Sequence, residues 1–131
     1  MSDAEKASYA AMIDARTELA RIISEIAQFS GSAYEPDIAA RRRLAAITND
    51  ALTMAGLLGA ADIALAMRTL HALVDDLNDM AVWSVEAVAL NCQAIVILAH
   101  KRGMSQHERT TLIEGVAKVA EKARRCAETQ R

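Results

Sequence analysis

The chain has 131 residues, of which 53% are apolar and only 3% aromatic, and its formal net charge is −2 at pH 7. This length suits one core, so residues 1–131 are expected to form a single domain. The small net charge, with acidic and basic residues interspersed, gives no broad positive field for nucleic acid or an anionic membrane. One proline and five glycines provide too few turns for a β-sandwich or barrel. The composition excludes an all-β fold and indicates helices.

The sequence has no run of about 18 apolar residues. Its N-terminal segment, with Asp3 and Glu5 ahead of any apolar run, lacks the form of a secretory signal. We therefore expect a cytoplasmic protein with no membrane partner. Cys92 and Cys126 are far apart and each falls on an apolar helical stripe, which favours buried free thiols over a disulfide or a metal site.

A first helix is predicted from a capping box at Ser2 and Glu5 to Gly31, which permits a left-handed exit. Its apolar residues recur at spacings of three and four, the period of a helix that packs along one face. After a loop at 31–35, Pro36 suits the first turn of a second helix. The apolar positions of these two helices are Met12, Ala15, Leu19, Ile22, Ile26 and Phe29, then Leu44, Ile47, Ala51, Met54 and Leu58.

Three further helices follow at the same period. Gly56 and Gly59 predict a break after the second helix, residues 78–79 predict a bend after the third, and the fourth ends near Gly103. A second capping box at 105–108 begins the fifth helix. Their apolar positions are Ile63, Met67, Leu70, Val74 and Leu77, then Val85, Val88, Cys92, Ile95 and Ala99, then Leu112, Val116, Val119, Ala123 and Cys126. Because the connections are short, we predict an all-α, antiparallel up-and-down bundle of about five helices.

Three histidines are the candidates for proton or phosphoryl chemistry at neutral pH. His71 has Asp75 four residues on, a spacing that predicts a pair on the helix surface. His100 lies at a predicted helix end, where a basic residue complements the helix dipole, and His107 lies in a first helical turn. The sequence contains no Gly-rich phosphate loop, nucleophile elbow or Cys-x-x-Cys. We therefore expect no catalysis and no cofactor.

Four carboxylates, Asp75, Asp76, Asp79 and Glu86, lie close together in the sequence. They lack the paired Glu-x-x-His arrangement that builds a carboxylate-bridged metal site inside a bundle. The pattern predicts a solvated acidic face and no metal.

Residues 49–60 (NDALTMAGLLGA) resemble the phosphoacceptor helix and following turn of histidine phosphotransfer (HPt) domains, whose pattern is roughly His-x-x-Lys-Gly-Ser-Ala-x-x-Leu-Gly-Ala. The resemblance covers residues 38–77, because Ile63, Met67 and Leu70 fall where that family places the apolar residues of its next helix. It implies an HPt-like four-helix core and a function in two-component signalling.

Three residues depart from the family pattern. Asn49 stands where the phosphorylated histidine is found, Leu52 replaces the lysine, and Thr53 replaces the glycine. An amide has no ring nitrogen to accept a phosphoryl group. The resemblance therefore implies a pseudo-phosphotransfer domain that docks a response-regulator receiver or a histidine kinase but does not relay phosphate.

The predicted docking surface is the outward face of the second helix. A rotation of about 100° per residue brings several short side chains together on that face. Two arginines at its edge suit the acidic pocket of a receiver domain. The predicted partner-binding residues are Arg42, Arg43, Ala46, Asn49, Thr53 and Gly56.

Two alternatives remain open. The first is a structural or adaptor bundle that self-associates, for example as a homodimer, through an apolar face. The second is an active phosphotransfer protein whose acceptor is His71 or His100. The sequence does not identify the partner or the oligomeric state.

Overall fold

The computed structural model describes residues 1–31 and 35–130, and this part of the chain contains five α-helices and no strand. The predicted all-α fold is confirmed. The predicted loop at 31–35 falls mainly on residues 32–34, which lie outside the described residues. None of the five helices combines the length and apolar character needed to cross a membrane. The helices are α1 (Asp3–Ser30), α2 (Ile38–Leu57), α3 (Ala61–Met80), α4 (Val85–His100) and α5 (Gln106–Thr129).

Helices α1 to α4 form a four-membered ring in which each helix packs against two others, and α5 packs against both α3 and α4. Consecutive helices run antiparallel. The Asn78 amide near the end of α3 reaches the Arg41 carbonyl near the start of α2, and Arg109 in α5 reaches the Leu98 carbonyl in α4. Helices α2 and α4 make no contact with each other and occupy opposite corners of the ring.

The core is aliphatic, as the composition predicts. Each fully buried large side chain contributes about 1.5–3 kcal/mol through the removal of apolar surface from water. All four helices of the ring contribute such residues. The largest of them are Ile22, Ile26, Leu44, Ile47, Met67, Leu70, Leu73, Leu77 and Ile95.

The ends of several helices agree with the sequence. The capping box of α5 is confirmed, because the Glu108 N–H donates to Ser105 Oγ and the Ser105 N–H donates to Glu108 Oε1, both at 3.1 Å. Gly59 and Gly103 adopt φ of 66° and 81°, values that favour glycine. Both predicted breaks therefore rest on a backbone conformation that other residues adopt at a cost.

Three details of the predicted boundaries are wrong. Gly31 has φ of −108°, so it is not the left-handed exit that the sequence predicted. Pro36 precedes α2, because the side chain of Asp37 caps that helix. The chain does not bend at 78–79, since α3 continues to Met80 and the left-handed residue is Ala81, with φ of 56°.

Two residues expected in the core are exposed. Helix α1 has 28 residues and is about 42 Å long, whereas its neighbour α4 is about 24 Å long. The first part of α1, residues 3–14, is exposed throughout, and this part includes Met12. On α5 the buried residues Ala120 and Ala127 are seven positions apart. Cys126 lies one position off this line and is exposed, whereas Cys92 is buried as predicted.

Candidate partner-binding surface

The six residues predicted to bind a partner lie together on the outer side of α2, and all six are exposed. Five of them follow one another at spacings of four, three, four and three, so they form a straight row about 21 Å long on one helix face. Arg43 lies beside the first of them. We call this row the α2 strip; it consists of Arg42, Ala46, Asn49, Thr53 and Gly56.

The α2 strip points outward because the opposite side of α2 is fixed in the core. Leu44, Ile47 and Ala51 are fully buried between α1 and α3. Beyond Arg42 the strip carries short side chains, and nothing lies within 4 Å of the position that a Cβ atom would take at Gly56. The surface is therefore flat and accessible along its length.

The three consecutive arginines at the start of α2 have different environments. Arg41 is partly buried: its Nε donates to the Pro36 carbonyl at 2.9 Å, and its guanidinium pairs with Glu35 at 2.9 Å. The same group lies 5.0 Å from the centre of the Trp83 ring. Arg41 thus fastens the start of α2 to the turn between α3 and α4 and is not available to a partner.

Arg43 pairs with Glu25 of α1 through two hydrogen bonds of 2.9 and 3.0 Å. These bonds from Arg43 lower the pKa of the Glu25 carboxyl against the opposing effect of its partial burial. Arg42, in contrast, has no hydrogen bond or ion pair among the described residues. The charge that this surface offers to a partner is therefore mainly that of Arg42.

Asn49 lies at the centre of the α2 strip and is exposed, as the sequence predicts. Its side chain makes no hydrogen bond within the described part of the chain. The amide can donate and accept hydrogen bonds at once, but it has no nucleophilic nitrogen. This position is suited to recognition and not to covalent chemistry.

His71 of α3 faces α2 beside the strip and does not form the predicted surface pair with Asp75. Its Nδ1 lies 3.1 Å from the Ala45 carbonyl oxygen and 3.0 Å from Thr48 Oγ1. The carbonyl oxygen can only accept, so Nδ1 carries a hydrogen, and of the two tautomers this contact selects the one with its lone pair on Nε2. The hydroxyl group of Thr48 donates its hydrogen to a carbonyl oxygen of its own helix. The Thr48 Oγ1 atom lies 2.9 Å from the Leu44 carbonyl oxygen and 3.0 Å from that of Ala45.

Two buried polar residues, Thr48 and Asn91, were not predicted from the sequence. Asn91 Nδ2 donates to the Ala87 carbonyl at 2.9 Å and to the Val116 carbonyl of α5 at 3.3 Å, but its Oδ1 is buried without a partner. Both residues lie among apolar neighbours, and no residue type in their local sequence signals a tertiary hydrogen bond.

The acidic residues at the end of α3 and the start of α4 form a dispersed, solvated face. Asp75, Asp76, Asp79 and Glu86 are exposed, and Asp76 lies 3.6 Å from Arg124. Within the described ranges, no group of three His, Cys, Asp or Glu side chains is placed to hold a metal ion.

No family model, curated protein or solved structure matches this chain.

Proposed function

We propose that this protein is a non-catalytic two-component signalling module, a pseudo-HPt domain, that docks a receiver domain or a histidine kinase through the α2 strip. The observation that carries the proposal is the exposed row of short side chains centred on Asn49. Three of its residues, Asn49, Thr53 and Gly56, lie within the segment that resembles the phosphoacceptor helix of HPt domains. In this role the protein acts by occupying or sequestering its partner.

The chemistry of the strip supports recognition of an acidic surface. Arg42 is exposed and uncompensated at one end, so it can form charge-assisted hydrogen bonds with carboxylates of a receiver pocket. The short side chains of Ala46, Asn49 and Thr53 allow a partner helix or loop to approach the backbone of α2 closely. Gly56 extends this accessible surface towards the end of the helix.

The proposal is tested by measuring binding to a panel of receiver domains and histidine kinases. Thr53→Trp should abolish binding sterically with little loss of stability, because Thr53 is exposed. Arg42→Glu should weaken binding about tenfold, and more strongly at low salt. Arg125→Glu serves as the matched control, since Arg125 lies on α5, which does not contact α2. Absence of binding to every member of the panel would refute the proposal.

One observation favours active phosphotransfer on His71 as a second candidate function. The contacts of Nδ1 with Ala45 and Thr48 fix the tautomer that leaves Nε2 nucleophilic. His100, the other histidine considered, is the exposed last residue of α4 and has no comparable anchor. Incubation with a labelled phosphodonor decides between the candidates. A pseudo-HPt domain takes up no label, whereas acid-labile label that disappears in His71→Ala would establish phosphotransfer.

A further inference from the structure

Helix α4 has the sequence of a helix that is covered on every side, yet one of its sides is open. Apart from the terminal His100, its only charged residue is Glu86. A helix that is apolar nearly all round is normally buried all round. Here α1, α3 and α5 cover three sides of α4. The fourth side consists of Glu86, Leu90, Gln93 and Ile97, all exposed, and we call it the α4 face.

Two large aliphatic side chains dominate the α4 face. Leu90 is 43% exposed and Ile97 is 37% exposed. Shallow grooves run beside both of them. Leu90 borders grooves towards α1 and towards α5, and Ile97 borders a third groove with Lys101 and Leu112. The α4 face is therefore a ridge between grooves, a shape that suits packing against another helix.

The α4 face, together with Lys101 at the C-cap of α4, is self-complementary. Glu86 and Lys101 are equally distant from the midpoint between Gln93 and Ala94, and so are Leu90 and Ile97. If two copies of α4 pack antiparallel about a two-fold axis at that midpoint, each Glu86 meets the Lys101 of the second copy. Each Leu90 then meets the second copy's Ile97. Glu86 and Lys101 form no ion pair within the described part of their own chain, although Lys101 acts electrostatically on Glu108. Both side chains are exposed and can reach this contact.

The neighbouring helix α5 adds a second complementary pair. The contacts of Arg109 with Leu98 and of Asn91 with Val116 align α5 antiparallel to α4. With α5 aligned in this way, the same two-fold axis places Glu108 of one copy opposite Lys118 of the other. Along the helix axis the two residues are offset by about one residue, or about 1.5 Å. Both side chains are exposed.

We propose that this protein forms a homodimer in which the α4 faces of two copies pack antiparallel about a two-fold axis at Gln93. The interface buries Leu90 and Ile97 of both copies and is closed at each end by a Glu86–Lys101 pair. Because one helix face and its flanks form a small interface, a dissociation constant of about 10 µM is expected. This dimer does not depend on the docking function proposed for the α2 strip.

A charge-swap series with sedimentation equilibrium as readout tests the proposal. Glu86→Lys or Lys101→Glu alone places like charges together at both ends of the interface and should weaken dimerisation about tenfold. The double variant restores opposite charges and should return the dissociation constant to within about threefold of wild type. Within one monomer both changes oppose the dipole of α4, so their effects on monomer stability should add. Only an intermolecular pair predicts rescue.

Two further variants locate the interface. Leu90→Asp should leave the protein monomeric, whereas Leu65→Asp, on an α3 residue that is 46% exposed, should not affect the dimer. Gln93→Cys in a Cys126→Ser background should form an intermolecular disulfide on mild oxidation, because Gln93 lies at the axis. A wild-type protein that stays monomeric at about 500 µM, fifty times the expected constant, would overturn the proposal. A dimer that withstands Leu90→Asp and both single charge reversals would also overturn it.

Discussion

His71 Nδ1 lies 3.0 Å from the hydroxyl oxygen of Thr48, and this contact joins α3 to α2 across their shared interface. Thr48 is fully buried, and its oxygen accepts from the ring because its own hydrogen is directed to a carbonyl of α2. The pair therefore holds the helix that carries the α2 strip at a fixed position relative to α3.

Loss of this anchor should destabilise the bundle. His71→Ala removes a hydrogen-bond donor and the packing of a partly buried ring, so we expect a loss of about 1–2 kcal/mol in the free energy of unfolding. His107→Ala, at an exposed position in the first turn of α5, should change it by less than about 0.5 kcal/mol. Urea denaturation of both variants measures the difference. Equal free energies of unfolding for the two variants would show that the His71 ring contributes nothing to the contact between α3 and α2.

The two thiols should react at very different rates. Burial raises the pKa of Cys92 to about 12, so this thiol stays protonated and inaccessible at neutral pH. Cys126 is exposed on α5. A colorimetric thiol reagent should therefore label one cysteine rapidly in the native protein and the second only after unfolding. Cys126→Ser should remove the rapid phase, and a rapid phase that persists in this variant would contradict the burial of Cys92.

The ion pair between Asp62 and Arg109 should give a pH-dependent stability. Arg109 Nε donates to Asp62 Oδ2 at 2.7 Å, and this hydrogen bond lowers the pKa of the carboxyl in the folded protein. Because the pKa of Asp62 is lower in the folded protein than in the unfolded chain, the ion pair stabilises the protein at pH values above the ordinary carboxyl pKa. This stabilisation is lost as the pH falls through the folded-state pKa. Asp62→Asn should therefore cost about 1 kcal/mol at pH 7 and nothing in strong acid.

The matched control for this pair is Asp76, which lies 3.6 Å from Arg124 at the other end of the same two helices. Its side chain is more exposed, so Asp76→Asn should cost about 0.5 kcal/mol or less. Unfolding free energies measured from pH 2 to pH 7 compare the two variants. A difference between wild type and Asp62→Asn that does not shrink in acid would contradict the role of the ionised carboxylate.

Because Oδ1 of Asn91 is buried without a partner, substitutions at this position should rank in an unusual order of stability. Asn91→Leu removes a buried acceptor that has no partner. The two carbonyls that accept from Nδ2 lie within helices, so we expect this change to lower the free energy of unfolding by less than about 1 kcal/mol. The nearly isosteric Asn91→Asp replaces the donor with a second oxygen and should cost at least about 3 kcal/mol at neutral pH. Thermal unfolding gives the order, and a more stable aspartate variant would refute it.

The helical fold and the outward face of α2 were predictable because the apolar residues of α2 recur at helical spacing, although the buried Thr48 on the same helix was missed. Leu44, Ile47 and Ala51 are separated by polar or small residues, so the helix has one inward face and the outward positions follow. On α5 the apolar period predicted the burial of Val116 but not the end of the buried line, because alanines lie on more than one side and the line passes through Ala127 instead of Cys126.

The environments of individual polar side chains were not predictable. Whether Arg43 is free depends on Glu25, which lies eighteen residues away on α1. The direction of the His71 ring likewise depends on a carbonyl of α2. Such contacts arise from how two helices pack, and the local periodicity contains no information about them.

The placement of α2 and α4 at opposite corners of the ring gives the two proposed surfaces a specific relationship. A partner on the α2 strip leaves the α4 face unobstructed. In a dimer formed through α4, the two α2 strips would lie on the far sides of the assembly and point away from each other. Such a dimer would be bivalent: it would bridge two separate partners, and it would bind an array of tethered partners with an avidity that a monomer lacks.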